Sequence, residues 1–410
     1  MAAAAAATEA ARDGQTALAL RLAKHLAPSP HHPRPAGGGN VAFSPVSVHA
    51  ALALLAAGAR GATLAQLLAF LGAPSAEALA GLGRDVVARR VLAGGGSAGG
   101  PRVLFGGGVW VDASRGGLAD AFREVAVECY KSDARTVSFT KEPEEAVKMI
   151  NEWVKKATNN LIDSIISTGD IGAATDMVLA NAVCFKGEWR HPFMHNYTEP
   201  GPFHRLDGSV AEARFMAILE HMDVACMDGF KVLKLPYKQP PEVVDEGTRY
   251  SMFVFLPDAH DGLSTMVDVV TASPAFMYGI LAEMKEKPVA IKIPKFEVSF
   301  SWNDLGDDLS RLGLSLPFSP EAADLRDMCK GDDGGTRRRP TFLTKVAHRA
   351  VVKVNEMGTE AVAVHVNMRG GGGPPPDLVE FAADHPFTFF IMEERSGVII
   401  FAGHVLDPSK

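Results

Sequence analysis

The chain has 410 residues, 47% of them apolar and 22% charged, so it can bury a large core and is not disordered over most of its length. Its 41 Lys and Arg against 48 Asp and Glu give a formal charge of −7, which argues against a nucleic-acid-binding surface. The longest small apolar run, at 50–59, is short of the ~20 residues a bilayer needs, so no membrane span is expected. The N-terminal stretch lacks a basic region followed by an apolar one, and Glu9 and Asp13 oppose a transit peptide. A cytoplasmic location is therefore expected, with the extracellular space as the alternative. The four cysteines are scattered without a CxxC pair, which suits a reducing compartment rather than a disulfide framework.

The first half reads as mostly helical. Leu18, Leu22 and Leu26 lie four apart, which predicts a helix that stops at Pro28. Residues 28–39 are rich in Pro and Gly and read as loop. NVAFSP reads as a short strand followed by a helix, with Ser44 as N-cap and Pro45 in the first turn. That helix ends near Gly58. Thr63 is expected to cap the next one, which places Leu64, Leu67, Leu68 and Leu71 on one face. A further helix fits 142–157. The second half reads as strands, at 177–187, 250–258, 289–300, 350–356, 387–392 and 397–406. Short helical patterns at 263–271 and 303–313 interrupt them. Helices in front and large sheets behind predict one α+β domain over 1–410.

The motifs for enzyme chemistry are weak. GGSAG surrounds Ser97 like a nucleophile elbow, but it has neither the strand before it nor the helix after it, and a flexible Gly/Ser segment accounts for it. HPFMH holds His191 and His195 around Pro192 and is no zinc-binding helix. Arg337–Arg339 reads as a solvated loop. No fingerprint for a nucleotide, a metal or another cofactor occurs, so no cofactor, no metal site and no enzyme activity are expected. Residues 356–376 break the pattern with a long segment that runs from a Gly hinge to GGGGPPP, a length typical of functional loops.

Six blocks carry a resemblance: NVAFSPVSVHAALALLAAGARGATLAQLLAFLG, LANAVCFKGEWRHPF, YSMFVFLPD, IKIPKFEVSFSWNDLGDDLSRLGLSLPFS, KVAHRAVVKVNEMGTEA and DHPFTFFI with GVIIFAGHV. Together they resemble the serpins, collinearly from about residue 15 to residue 408. RLAKHLAP and FAADHPF are similar to plant members. The resemblance implies an α+β fold of about nine helices on three β-sheets, with an exposed reactive-centre loop at about 356–380. It implies suicide inhibition of proteases, in which the cleaved loop inserts as a new strand into the main sheet. The partner would be a trypsin-like serine protease or an Arg-specific cysteine protease, met by a monomer.

Residue by residue, the resemblance maps the hinge onto Glu356, Gly358, Thr359, Glu360, Ala361 and Ala363. It maps the shutter, where the sheet opens, onto Ser44, Ser47, Asn181 and His348. Apart from the resemblance, Ser44 reads as a helix cap and His348 as a paired buried histidine. Trp189 maps to the top of the main sheet. Strand alternation turns Thr359, Ala361, Ala363, His365 and Asn367 inward. The bait is Arg369, cut from Gly370, since Met368-Arg369 resembles the Leu-Arg of plant relatives. Arg369 lies eleven residues after Gly358, where the family usually has fourteen; the usual count selects Gly372 instead. The pair before the hinge is Glu356-Met357 where inhibitory members carry two acids. A short loop and an unpartnered His365 would make inhibition inefficient. The alternative is a non-inhibitory member that serves as protease substrate, storage or binding protein.

Overall fold

The structure is a computed structural model that describes residues 2–28, 39–91, 100–239, 248–330, 340–359 and 375–410. Among them are nine α-helices: α1 (Ala2–Leu26), α2 (Pro45–Ala57), α3 (Gly61–Leu71), α4 (Ala76–Leu82), α5 (Asp120–Tyr130), α6 (Pro143–Ala157), α7 (Leu263–Val270), α8 (Pro274–Ala282) and α9 (Leu305–Arg311). The strands up to the centre of the chain are β1 (Val41–Phe43), β2 (Arg102–Asp112), β3 (Ser132–Val137), β4 (Met177–Glu188), β5 (Glu199–His204), β6 (Val210–Met227) and β7 (Phe230–Pro236). There follow β8 (Tyr250–Pro257), β9 (Lys285–Pro294), β10 (Phe296–Trp302), β11 (Lys345–Asn355), β12 (Gly358–Thr359), β13 (Val379–Ala382), β14 (Phe387–Glu393) and β15 (Val398–Val405).

The strands form two hydrogen-bonded networks. One has six strands in the order β10-β11-β12-β4-β2-β3, with a direct β11–β4 pairing. The other runs β1-β15-β14-β8-β7-β6-β9-β13, with β5 on the side of β6. The long β6 joins what would otherwise be two sheets: its first residues pair with β5, its middle with β9 and its end with β7. β14 and β15 are buried along their whole length, their largely apolar runs holding only Thr388, Glu393 and His404 as buried polar groups. Helices α1 and α2 cover one side of β15. The six-stranded sheet covers the other, through Phe185 against Phe401 and Phe296 against Phe387. Helix α2 is buried all round, the pattern of a core helix.

Three expectations need correction. Ser44 stands at the N-cap position of α2, but its hydroxyl caps nothing and is buried without a hydrogen-bond partner among the described residues. Thr63 lies inside α3, which starts after Arg60; its hydroxyl instead accepts from the backbone N–H of Asp324 at 3.0 Å. The run 289–300 is not one strand. Pro294 has no N–H to continue a ladder, so β9 ends there and β10 joins the other sheet after Lys295. None of the four cysteines is in a disulfide: Cys226 is exposed, and Cys129, Cys184 and Cys329 are buried. No single described helix is long and apolar enough to cross a membrane.

Candidate functional site

The site begins where two parallel strands part. β4 and β11 pair from Val178–Lys345 up to Cys184–Val351, in the same direction. Above that point the chain leaves β11 and turns back through Glu356 and Met357. The Asn355 side-chain oxygen accepts from the N–H groups of Met357 and Gly358, at 3.0 and 3.2 Å, which closes the turn. Gly358 and Thr359 then run antiparallel to both neighbours as β12. Gly358 faces Asn355 and Glu188, and Thr359 faces Val354 and Gly187. Two residues of the hinge are therefore already strands of the sheet.

Gly358 has φ +148°, a conformation that L side chains avoid. A Cβ there would also strike the Gly187 carbonyl oxygen and lie 2.7 Å from Glu188 Cα. Thr359 is fully buried. Its hydroxyl shares a hydrogen bond with Tyr237 Oη at 2.8 Å. Burial holds the Tyr237 phenol well above its ordinary pKa, against the pull of this bond, so it stays a neutral donor and acceptor. Tyr237 stacks on Trp189 with ring centroids 4.5 Å apart. The Trp189 indole N–H donates to the Asn355 carbonyl at 3.0 Å, and its backbone N–H donates to Met357 at 2.8 Å. Trp189 is thus the roof over the hinge.

Glu356 anchors the turn from below. Its carboxylate is buried and accepts from Thr198 Oγ1 at 2.9 Å and from Lys295 Nζ at 2.9 and 3.1 Å, with His195 Nδ1 at 3.3 Å. Burial opposes its ionisation. The hydrogen bonds, chiefly from Lys295, together with the ammonium charge outweigh this and hold the carboxyl below its usual range. Met357, which follows it, is buried and offers its carbonyl to the backbone N–H of Trp189.

Midway along the parallel pair, His348 lies opposite Asn181. His348 Nε2 accepts from the backbone N–H of Ser44 at 3.1 Å, and Ser47 Oγ donates to the Ser44 carbonyl at 3.0 Å. The remaining polar atoms, His348 Nδ1, Asn181 Nδ2 and Ser44 Oγ, are buried without partners among the described residues. Burial pushes the His348 imidazole down to about 3, so it is neutral at physiological pH. Leaving buried polar atoms unpaired costs on the order of 1–3 kcal/mol each.

The structure thus gathers Glu356, Gly358 and Thr359 at one end of that ladder, and Ser44, Ser47, Asn181 and His348 around its middle. Glu360, Ala361, Ala363, His365, Arg369, Gly370 and Gly372 lie outside the described residues, as do Ser97 and Arg337–Arg339. The sequence reading missed Tyr237, Thr198 and Lys295. Lys295 alone carries a signal, as a lysine between two apolar strand runs.

The family described as Serpin (serine protease inhibitor) matches residues 13–408. Serpin-ZXA of Oryza sativa subsp. japonica is 42% identical over 398 residues, covering 96% of this chain and 96% of that relative. Serpin-Z1C of Triticum aestivum is 41% identical over 395 residues, covering 96% of this chain and 95% of that relative. The solved structure of Arabidopsis AtSerpin1 in its native stressed conformation is 33% identical, covers 98% of this chain and 99% of its own, and superposes with a TM-score of 0.83. The α+β architecture is therefore the serpin fold, and this chain belongs to the serpin family, whose relatives here are plant members.

Proposed function

We propose that this chain inhibits serine endopeptidases by offering residues 360–374 as bait and drawing the cut segment between β4 and β11. The observation that supports this most is β12, whose two residues already pair with both strands. Members of this family generally inhibit proteases rather than catalyse reactions. The protease nucleophile attacks the Arg369 carbonyl, Gly370 leaves with a new N-terminus, and an acyl-enzyme at Arg369 remains. The guanidinium suits the acidic pocket of a trypsin-like protease as a bidentate donor, and an Arg-specific cysteine protease is the second candidate target.

Insertion would then continue the register of β12. Without a bulge, that register brings Arg369 opposite Met177, the first residue of β4, and Met368 opposite Lys345, the first of β11. The inserted strand would end level with the sheet, with nothing to spare. Three more residues would add about 10 Å of slack at ~3.3 Å each. Without that slack the protease body meets the sheet before the last rungs form, and deacylation competes with trapping. The same register would place His365 between Asn181 and His348, on the inward face shared with Thr359. An imidazole there can accept from a donor that now has no partner, so His365 assists insertion rather than opposing it.

Titration against trypsin, read on denaturing gels, tests the proposal. The expected result is an SDS-stable adduct, with several inhibitor molecules consumed per protease trapped. A ratio near one contradicts the inefficiency, and clipped product without adduct contradicts inhibition and favours the substrate, storage or binding reading. His365→Ala should raise the ratio further; a lower ratio would contradict the register argument.

A further inference from the structure

Away from the hinge, three segments bring His204, His260 and Asp384 together, with one ligand atom from each within 4.8 Å of the others. His204 ends β5, His260 lies in the turn after β8, and Asp384 follows β13. We propose that these three side chains bind a zinc-class divalent ion. Two imidazoles and one carboxylate suit a borderline transition ion far better than Ca2+ or Mg2+, which take oxygen ligands.

The surroundings are arranged as a metal site requires. His385 is buried and bridges Asp384 Oδ1 at 2.8 Å and the Pro257 carbonyl at 2.7 Å, through Nδ1 and Nε2 respectively. That holds the carboxylate in place and leaves Oδ2 for an ion, the outer-shell support typical of metal ligands. The backbone N–H of His204 donates to the Asp384 carbonyl at 2.8 Å, which locks two ligand segments together. The rings of His204 and His260 stack with centroids 4.5 Å apart and 20° between planes. No ring nitrogen of either has a hydrogen-bond partner among the described residues. Tetrahedral zinc with bonds of about 2.0–2.1 Å needs ligand atoms about 3.3 Å apart, so binding would draw the three side chains together. Three protein ligands leave a fourth position open.

The ion would staple the segment through which the chain returns from the loop. β13 is an edge strand that pairs only with β9 among the described strands. Joining Asp384 to β5 and to the β8 turn would raise the resistance of β13 to detachment.

The test is calorimetric titration of the purified full chain with ZnCl2 under a non-chelating reductant, with MgCl2 as control. One zinc site and no magnesium binding are expected, with zinc raising the unfolding temperature by mass action. His260→Ala should weaken zinc binding by at least about tenfold and abolish the thermal shift, as the loss of a ligand demands. His204→Ala should do the same; if it fails to fold, the exposed His260 variant decides alone. Cobalt(II) should give the intense visible absorption of a tetrahedral complex in the wild type and not in His260→Ala. Unchanged zinc affinity in His260→Ala, or no zinc binding by the wild type, overturns the proposal.

Discussion

Gly358→Val is expected to turn the chain from an inhibitor into a substrate. The variant must place a branched side chain at φ +148° and against the Gly187 carbonyl, so β12 cannot keep its seat. Backbone strain of this kind costs about 1–3 kcal/mol, before the steric clash is added. Leaving the seat also breaks the Tyr237–Thr359 hydrogen bond and uncovers a buried threonine. In the proposed reading the bait is Arg369, eleven positions away, so cleavage at Arg369–Gly370 should proceed at the wild-type rate. Only the race between insertion and deacylation should shift, and about 1.4 kcal/mol of lost driving force is already a factor of ten. The stoichiometry against trypsin should therefore rise at least about tenfold. Wild-type stoichiometry in Gly358→Val would show that insertion does not start from β12.

Mild acid is expected to destabilise the fold through two histidines. Burial pushes His348 down to about 3 and His49 down to about 4, and both are neutral in the folded chain. In the unfolded chain each titrates near 6.5, so the unfolded state takes up protons first. Their contribution to stability is intact above about pH 6.5 and falls steadily as the pH drops toward the folded values. At about pH 5 each ring accounts for a loss of about 2 kcal/mol, hence about 4 kcal/mol together. The buried carboxylate of Glu356, held below its usual range, contributes stability that is lost only at lower pH, so it leaves this window unaffected. Urea midpoints measured at about pH 7.5 and about pH 5 should show the drop. His348→Gln and His49→Gln should each flatten it by about half. A flat profile in the wild type would mean that neither ring is held neutral by burial.

Much of the fold was legible in the sequence because local patterns and burial agree. α2 follows from a Ser-Pro start and an unbroken apolar run, and α6 from its single apolar face. β4, β8, β14 and β15 follow from largely apolar runs rich in β-branched and aromatic residues, which suit strands covered on both faces. Where polar residues interrupt, the signal fades. β6 alternates buried and exposed positions through Glu, His and Asp residues, and it went unread although its length holds the larger network together.

By itself the sequence marked many of the helices and strands, and the six blocks carried the resemblance to the family. The resemblance also mapped a hinge onto Gly358. Everything that depends on two distant segments meeting was decided by the tertiary structure. Ser44 is a helix start in sequence, but His348 receives its N–H because β1, which ends at Phe43, packs against β11. Glu356 finds Lys295 and Thr198 only because β9 ends at Pro294 and delivers the lysine to the same turn. Tyr237 reaches Thr359 across two sheets. His204, His260 and Asp384 have no metal-ligand spacing along the chain, and only the packing of three loops brings their ligand atoms together. Hydrogen bonds and ion coordination act over about 2–3 Å, a distance that residue spacing along a folded chain does not encode.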